Sequence, residues 1–408
     1  MKKSLATLAL IAVGLGSSAF AGEGTEPKGI PNLDHVFVIM MENHGYAQIL
    51  NNPSAPFLNH YMRSANSAAN YYAVAHPSLT NYLELVGGSN FGVLSDSTPD
   101  WHNPACTPNI ELGTSDDESV GLPVCPIQGT GTDAATPAID FTNETSGPPG
   151  DYNLDGVKSI PADTNTHGKT IADQLVRAGL TWKSYQESLP LNGADRVNYS
   201  DGTFTDSSVF PSGFTVSQMV QLYAAKHDPF VYFQNVQDGF DPQLSLRRIV
   251  PFDGKDGLYA DLGSGNVPNF AFIAPNQCND QHGKSNAGPF CAGDPNDNGT
   301  QVGLNPALIY QGDVAVQRLV TAIHNSPVWK RGKTAIVTVW DENDYSVGIP
   351  NQVVLIVDTN YGRHGVQSPV FYDHYSLLRT IEGGFGLPCL NHACDKMSKV
   401  MSDLFAEK

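Results

Sequence analysis

Glu42 and Asn43 close the apolar run His35-Val36-Phe37-Val38-Ile39-Met40-Met41, and Asp341 and Glu342 close Thr334-Ala335-Ile336-Val337-Thr338-Val339-Trp340. Carboxylate and carboxamide oxygens are hard donors, and four of them together suit a divalent cation such as Mg²⁺, Ca²⁺ or Mn²⁺. Asp280 and His282 follow a third apolar run, Asn269-Phe270-Ala271-Phe272-Ile273-Ala274, also just past its end. Ser78 opens a segment in which Leu79, Tyr82, Leu83 and Val86 recur at helical spacing, with Pro77 before it and Gly87 at its stop. A hydroxyl in the first turn of a helix sits where free N–H groups and the macrodipole favour an anion. Together these are the parts of a metal-activated nucleophile directed at phosphorus. Each has an ordinary reading as well, Ser78 as a helix cap and the acids as solvated loop starts. Their recurrence at three strand ends is what sets them apart.

Apolar runs of strand length, ending in polar residues, are the central strands of a sheet buried on both faces. They alternate with helical patterns at 315–323 and 372–381, which predicts an α/β fold with a mostly parallel central sheet flanked by helices. Strand ends in such a sheet converge on one edge, so Glu42, Asp280 and Asp341 are expected to meet there. Weaker strand patterns lie at 180–185, 230–233 and 352–357, and Thr166 is read as the cap of a helix carrying Ile171, Leu175 and Val176. Residues 89–165 are rich in Gly, Pro, Asp, Ser and Thr with little apolar periodicity. They are read as a loop insertion in a single domain spanning 22–408.

Lys2 and Lys3 precede an apolar run from Leu5 to Leu15, and Ala19-Phe20-Ala21 fits a signal-peptidase site, so residues 1–21 read as an export signal. The run is too short for a membrane anchor, and the mature chain is expected in the periplasm or outside the cell. The formal net charge is −18, with 23 basic and 41 acidic residues, which opposes long-range attraction to nucleic acid or anionic membranes. Cys106, Cys125, Cys278, Cys291, Cys389 and Cys394 form three close pairs. In an oxidising compartment the simplest pairing is 106–125, 278–291 and 389–394; zinc is the competing reading, and no Cys-x-x-Cys supports it.

The motifs Met41-Glu42-Asn43-His44, His76-Pro77-Ser78-x-x-Asn81-Tyr82, Pro275-Asn276 with Asp280 and His282, Trp340-Asp341-Glu342 and Asp373-His374-Tyr375-Ser376 resemble the bacterial and fungal phosphoesterase family. That family includes secreted acid phosphatases and phosphatidylcholine-type phospholipases C, and is related to the alkaline phosphatase superfamily. The resemblance runs from about residue 33 to 392 and is weak over 89–165 and near 190–225. It implies a cation held by Glu42, Asn43, Asp341 and Glu342, with Asp280 counted among the metal ligands. Ser78-Leu79-Thr80-Asn81 is similar to the Thr-x-Pro-Asn of nucleotide pyrophosphatases, which implies Ser78 as nucleophile and Asn81 as a phosphate ligand. Thr80 stands where that pattern has Pro and is the second candidate nucleophile. His76, His282 and His374 are expected to contact phosphate, protonate the leaving group or complete a second metal site. His44 and His227 are read as structural.

The implied reaction is hydrolysis of a small phosphate monoester through a phosphoserine, as in acid phosphatases. Protonated His282 and His374 would place its optimum below neutral pH. A phospholipase C-type phosphodiesterase is the second reading, and a phosphate-capturing binding protein without catalysis is the third.

Overall fold

Val36 to Met41 are all buried in the first strand, as a run of β-branched, aromatic and thioether side chains without a charge requires. The computed structural model describes residues 23–91, 93, 96, 99, 127, 168–189, 220, 222–296, 298–343 and 350–407. The strands in chain order are β1 (His35–Met41), β2 (Asn66–Ala68), β3 (Tyr71–Tyr72), β4 (Trp182–Gln186) and β5 (Ile249–Pro251), then β6 (Phe270–Ala274), β7 (Thr334–Trp340), β8 (Leu355–Thr359), β9 (Gln367–Ser368) and β10 (Tyr372–Asp373). The helices are α1 (Tyr46–Ile49), α2 (Pro56–Ser64), α3 (Ser78–Gly87) and α4 (Ile171–Arg177), then α5 (Gln234–Asp238), α6 (Leu258–Ser264), α7 (Pro306–Asn325) and α8 (His374–Gly384).

Eight strands form one sheet in the order β5-β4-β6-β1-β7-β8-β2-β9, and β10 pairs with β3 in a separate ribbon. From β5 to β7 every pairing is parallel, whereas β8 runs antiparallel to both β7 and β2. The sheet is therefore mixed and mostly parallel, with β1 between β6 and β7. Helix α3 buries all ten of its residues, so Ser78 is held by a helix that has no solvent face.

Three local expectations change. Residues 230–233 do not pair as a strand; Pro229 to Tyr232 form a buried 3-10 turn, because Pro229 presets a helical φ at the first position and has no N–H to give a ladder. Helix α4 is capped by Thr170, whose Oγ1 accepts from the Ala172 N–H at 3.1 Å while its own N–H donates to Asp173 at 2.8 Å. Thr166, the expected cap, lacks the acidic residue three positions on that completes such a box. The last helix begins at His374, capped by Asp373, and Tyr372 belongs to β10.

Disulfides Cys278–Cys291 and Cys389–Cys394 are formed. The 106–125 pair, residues 1–21 and nearly all of 89–165 lie outside the described residues. Among the described residues no helix is long and apolar enough to cross a membrane.

Candidate active site

Register decides the site. Met41 pairs with Trp340 and Ile39 with Ile273, so β6, β1 and β7 end side by side and Glu42 and Asp341 leave the sheet together. The Asp341 N–H donates to the Met41 carbonyl at 2.9 Å, and the Glu42 N–H to the Asp280 carbonyl at 2.8 Å. Asn43 turns with φ +54°, which Asn tolerates better than most side chains. Its N–H then reaches Asp341 Oδ1 at 3.2 Å.

Helix α3 brings Ser78 to the same point. Ser78 Oγ lies 3.1 Å from Glu42 Oε2 and 3.1 Å from Glu342 Oε1, its one proton facing two carboxylates. Tyr82, one turn on, donates to Glu42 Oε1 at 2.6 Å. Asn81 donates to Glu342 Oε2 at 3.0 Å and to the Ala75 carbonyl at 2.7 Å, and its Oδ1 accepts from the Val74 and Ala75 N–H groups at 3.1 and 3.0 Å. His76 Nδ1 stands 2.9 Å from Glu342 Oε2. Thr80 Oγ1 instead faces the Val93 carbonyl at 3.4 Å, away from this cluster.

The histidines divide by what their nitrogens face. His282 Nδ1 is 2.8 Å from the Gly283 carbonyl; a carbonyl only accepts, so Nδ1 carries the proton and Nε2 presents a bare lone pair. His374 Nε2 is 2.6 Å from the Asp341 carbonyl and its Nδ1 is 2.8 Å from the Tyr71 hydroxyl. Both its nitrogens are thereby spent behind Asp341, so His374 holds that residue's backbone and does not face Ser78. His227 sits with Nδ1 3.1 Å from Asp280 Oδ2 and Nε2 3.0 Å from Glu42 Oε1. Burial pushes the His282 imidazole down to about 3 and that of His374 to about 4, and holds His227 well below its usual range. These shifts favour the neutral imidazole, against the expectation that His282 and His374 act protonated.

Burial and mutual repulsion push the carboxyls the other way. Burial raises Glu42 to about 8, opposed by the Lys226 charge and reinforced by Glu342. Asp341 and Asp280 are held well above the carboxylate range by burial and then by Glu42, and burial raises Glu342 as well. Such a cluster is costly without a compensating positive charge. Asn43 Oδ1 and Asp341 Oδ2 are buried without a hydrogen-bond partner, and Glu42, His227 and His282 each offer a ligand atom within 4.8 Å of one another. Orphaned oxygens and converging lone pairs fit a cation.

His227, read as structural from the sequence, and Tyr82, read there only as part of the helix opened by Ser78, both face the site. The signal for His227 was present in Lys226-His227-Asp228-Pro229, where a polar triplet precedes a proline-started turn, but no strand end marked it.

A model of the phosphoesterase family matches residues 49–289 and 303–388, a stretch that includes Ser78, His227, Asp280, His282, Asp341 and Glu342. The chain belongs to the phosphoesterase family. As a member it is a hydrolase acting on phosphoric esters. It is 25% identical over 397 residues to a phosphatidylinositol-3-phosphatase of Mycobacterium tuberculosis, covering 96% of this chain and 91% of that one. It is 22% identical to a probable acid phosphatase of Kluyveromyces lactis and 23% identical to an acid phosphatase of Aspergillus fumigatus, covering 87% and 79% of this chain. Against those two the phosphoesterase spans only 58% and 48% of their length. Among solved structures it is similar to a protein in the alkaline phosphatase superfamily from Vibrio parahaemolyticus, at TM-score 0.47 and 11% identity, covering 94% of this chain and 73% of the other.

Proposed function

We propose that this phosphoesterase is an exported, metal-dependent phosphomonoesterase whose nucleophile is Ser78. The observation that carries the reading is the seryl oxygen 3.1 Å from both Glu42 and Glu342 at the N-terminus of a buried helix. Either carboxylate can take the proton as Oγ attacks phosphorus in line; the ester P–O bond breaks as the phosphoserine forms, the proton passes to the departing alkoxide, and water then cleaves the phosphoserine to release phosphate. Glu42, Asn43, Asp341 and Glu342 would hold a hard divalent cation, and Glu42 with His227 and His282 offers a second set of ligands. When bound, such an ion supplies a Lewis acid that makes the seryl hydroxyl more acidic and offsets charge on the phosphoryl oxygens.

This chain's own residues set the geometry. Tyr82 fixes one oxygen of Glu42 and Asn81 fixes one oxygen of Glu342, with His76 2.9 Å from that same oxygen and Asp280 3.1 Å from His227 Nδ1. That leaves the other oxygen of each glutamate toward Ser78. Asn81 stands one turn from the nucleophile, where Nδ2 can exchange Glu342 for a phosphoryl oxygen. The export signal at 1–21 and a single domain from residue 22 are part of this reading, supported by the two disulfides in the described chain.

The mycobacterial and fungal relatives are named as phosphatases, and the strongly acidic chain is poorly suited to an anionic lipid surface. The names favour phosphomonoesters over a phospholipase C-type diesterase, the mycobacterial one being named for a phosphoinositide lipid, and the acidic charge favours a small soluble monoester over an anionic lipid one. The expected result is a kcat/KM for p-nitrophenyl phosphate at least about tenfold above that for p-nitrophenyl phosphorylcholine, a difference of about 1.4 kcal/mol in transition-state stabilisation. The reverse order would make the enzyme a diesterase.

Cys278–Cys291 closes the loop that presents Asp280 and His282. Replacing both cysteines by serine is expected to lower Tm, since a short native loop closure is worth about 2–4 kcal/mol. It should also weaken turnover more than the unfolded fraction accounts for. Turnover that simply tracks the folded fraction, measured by circular dichroism at the assay temperature, would show that the loop keeps its place without the bridge.

A further inference from the structure

Lys226 is almost fully buried, and its Nζ is 2.7 Å from Asp96 Oδ2, itself buried. The other oxygen of Asp96 accepts the Leu79 N–H at 2.9 Å. One carboxylate therefore ties together two segments: the first turn of α3, where Leu79 follows Ser78, and the 3-10 turn Ala225–His227, where Lys226 precedes His227. The two segments also touch through stacked rings, Tyr82 on His227 at 5.4 Å between centroids and 8° between planes.

A buried ion pair is a poor stabilising device, because desolvating both ions offsets most of their attraction and apolar replacements are often as stable. Fully buried lysines are correspondingly rare. What the pair supplies that an apolar contact would not is a fixed distance and direction between two polar groups. The charge of Lys226 is also felt by Glu42, Asp280 and Glu342, which places it beside the reacting groups and not at the far end of α3.

Resting on Ser78 as nucleophile, we propose that the Lys226–Asp96 pair is a positioning strut that sets Ser78 and His227 at their working separation. Neither residue touches the reacting atoms in this assignment. Misplacing a reacting group by about 1 Å costs on the order of 100-fold, so a lost strut should appear in kcat more than in KM.

Lys226→Met alone leaves Asp96 charged and buried, which can cost the fold. The test therefore uses the double variant Asp96→Asn/Lys226→Met, in which neither charge remains and the asparagine oxygen can still accept from Leu79. With p-nitrophenyl phosphate, kcat is expected to fall about 30- to 100-fold, with KM within about threefold and Tm within a few degrees of wild type. Hydrogen exchange of the Leu79 amide in the substrate-free protein is expected to speed up at least tenfold, because the neutral amide oxygen is a weaker acceptor than the carboxylate and is no longer held in place by Lys226. A kcat within threefold of wild type overturns the strut. So does a lowered kcat with unchanged Leu79 exchange, which would make Lys226 a charge acting at a distance. The exchange measurement needs no turnover: a wild-type protein that hydrolyses nothing would sink the phosphatase reading, and unchanged Leu79 exchange in the double variant would still overturn the strut.

Discussion

Ser78→Ala is expected to lower kcat for p-nitrophenyl phosphate by at least about 1,000-fold, the scale on which removing a nucleophile acts in hydrolases that use a covalent intermediate. Alanine keeps the helix, since Pro77 and the Asp96 oxygen on the Leu79 N–H remain. What is lost is the oxygen between Glu42 and Glu342 and the one proton it shares with them. Losing that hydrogen bond costs about 1–3 kcal/mol, so circular dichroism should show a folded protein. Thr80→Ala is the matching control. Its hydroxyl faces the Val93 carbonyl, so this variant should keep kcat within about threefold. Acid-quenched wild type incubated with labelled substrate should carry label on the peptide containing residue 78, and Ser78→Ala should carry none. A Ser78→Ala protein with near wild-type kcat, or label retained on that peptide through Thr80, would remove Ser78 from the reaction.

The strand ends carry most of what could be read in advance. Three apolar runs ending in acids or amides forecast a parallel sheet because strands covered by helices on both faces read that way, and β6, β1 and β7 do lie adjacent. The antiparallel β8 carries no comparable mark, since a buried apolar strand looks the same in either direction. Phe230 to Phe233 illustrate the same ambiguity between strand and helix, resolved by Pro229. The parts of the site that stayed hidden are those whose meaning is relational. His227 looks like any histidine beside a lysine until Asp280 and Glu42 are brought to its two nitrogens. Asp96 lies in a stretch with no periodicity at all. His374 shows the opposite error, in that its place beside a motif suggested chemistry while its nitrogens serve a backbone carbonyl and a tyrosine. The tautomer of His282 follows only from the carbonyl at Nδ1, which no sequence pattern displays.

Removing divalent cations should act on stability and on turnover together, and the pH at which stability suffers most is set by the carboxyls. A carboxyl whose pKa is raised on folding contributes stability that is full below its unfolded value and is lost as pH rises through its folded value. For Glu42 that window runs from 4.5 to about 8, and Asp341, Asp280 and Glu342 are shifted in the same direction. Chelator-treated protein is therefore expected to melt at a higher temperature at pH 5 than at pH 8. A divalent cation at 100 times its dissociation constant adds about 2.7 kcal/mol, about 3 °C in Tm for a chain of this size. The gain should be larger at pH 8, where the ion replaces the missing counter-charge, than at pH 5, where protons compete with it. Turnover at pH 7 should drop by at least about 100-fold in chelator and return on adding Mg²⁺, Mn²⁺ or Ca²⁺. Glu42→Gln, which keeps the shape and removes one of the repelling charges, should flatten the pH dependence of the chelated protein and weaken cation rescue. A melting temperature in chelator that is level from pH 5 to 8, with no response to any of the three cations, would mean that the four acids are balanced within the protein itself and that the site works without a metal ion.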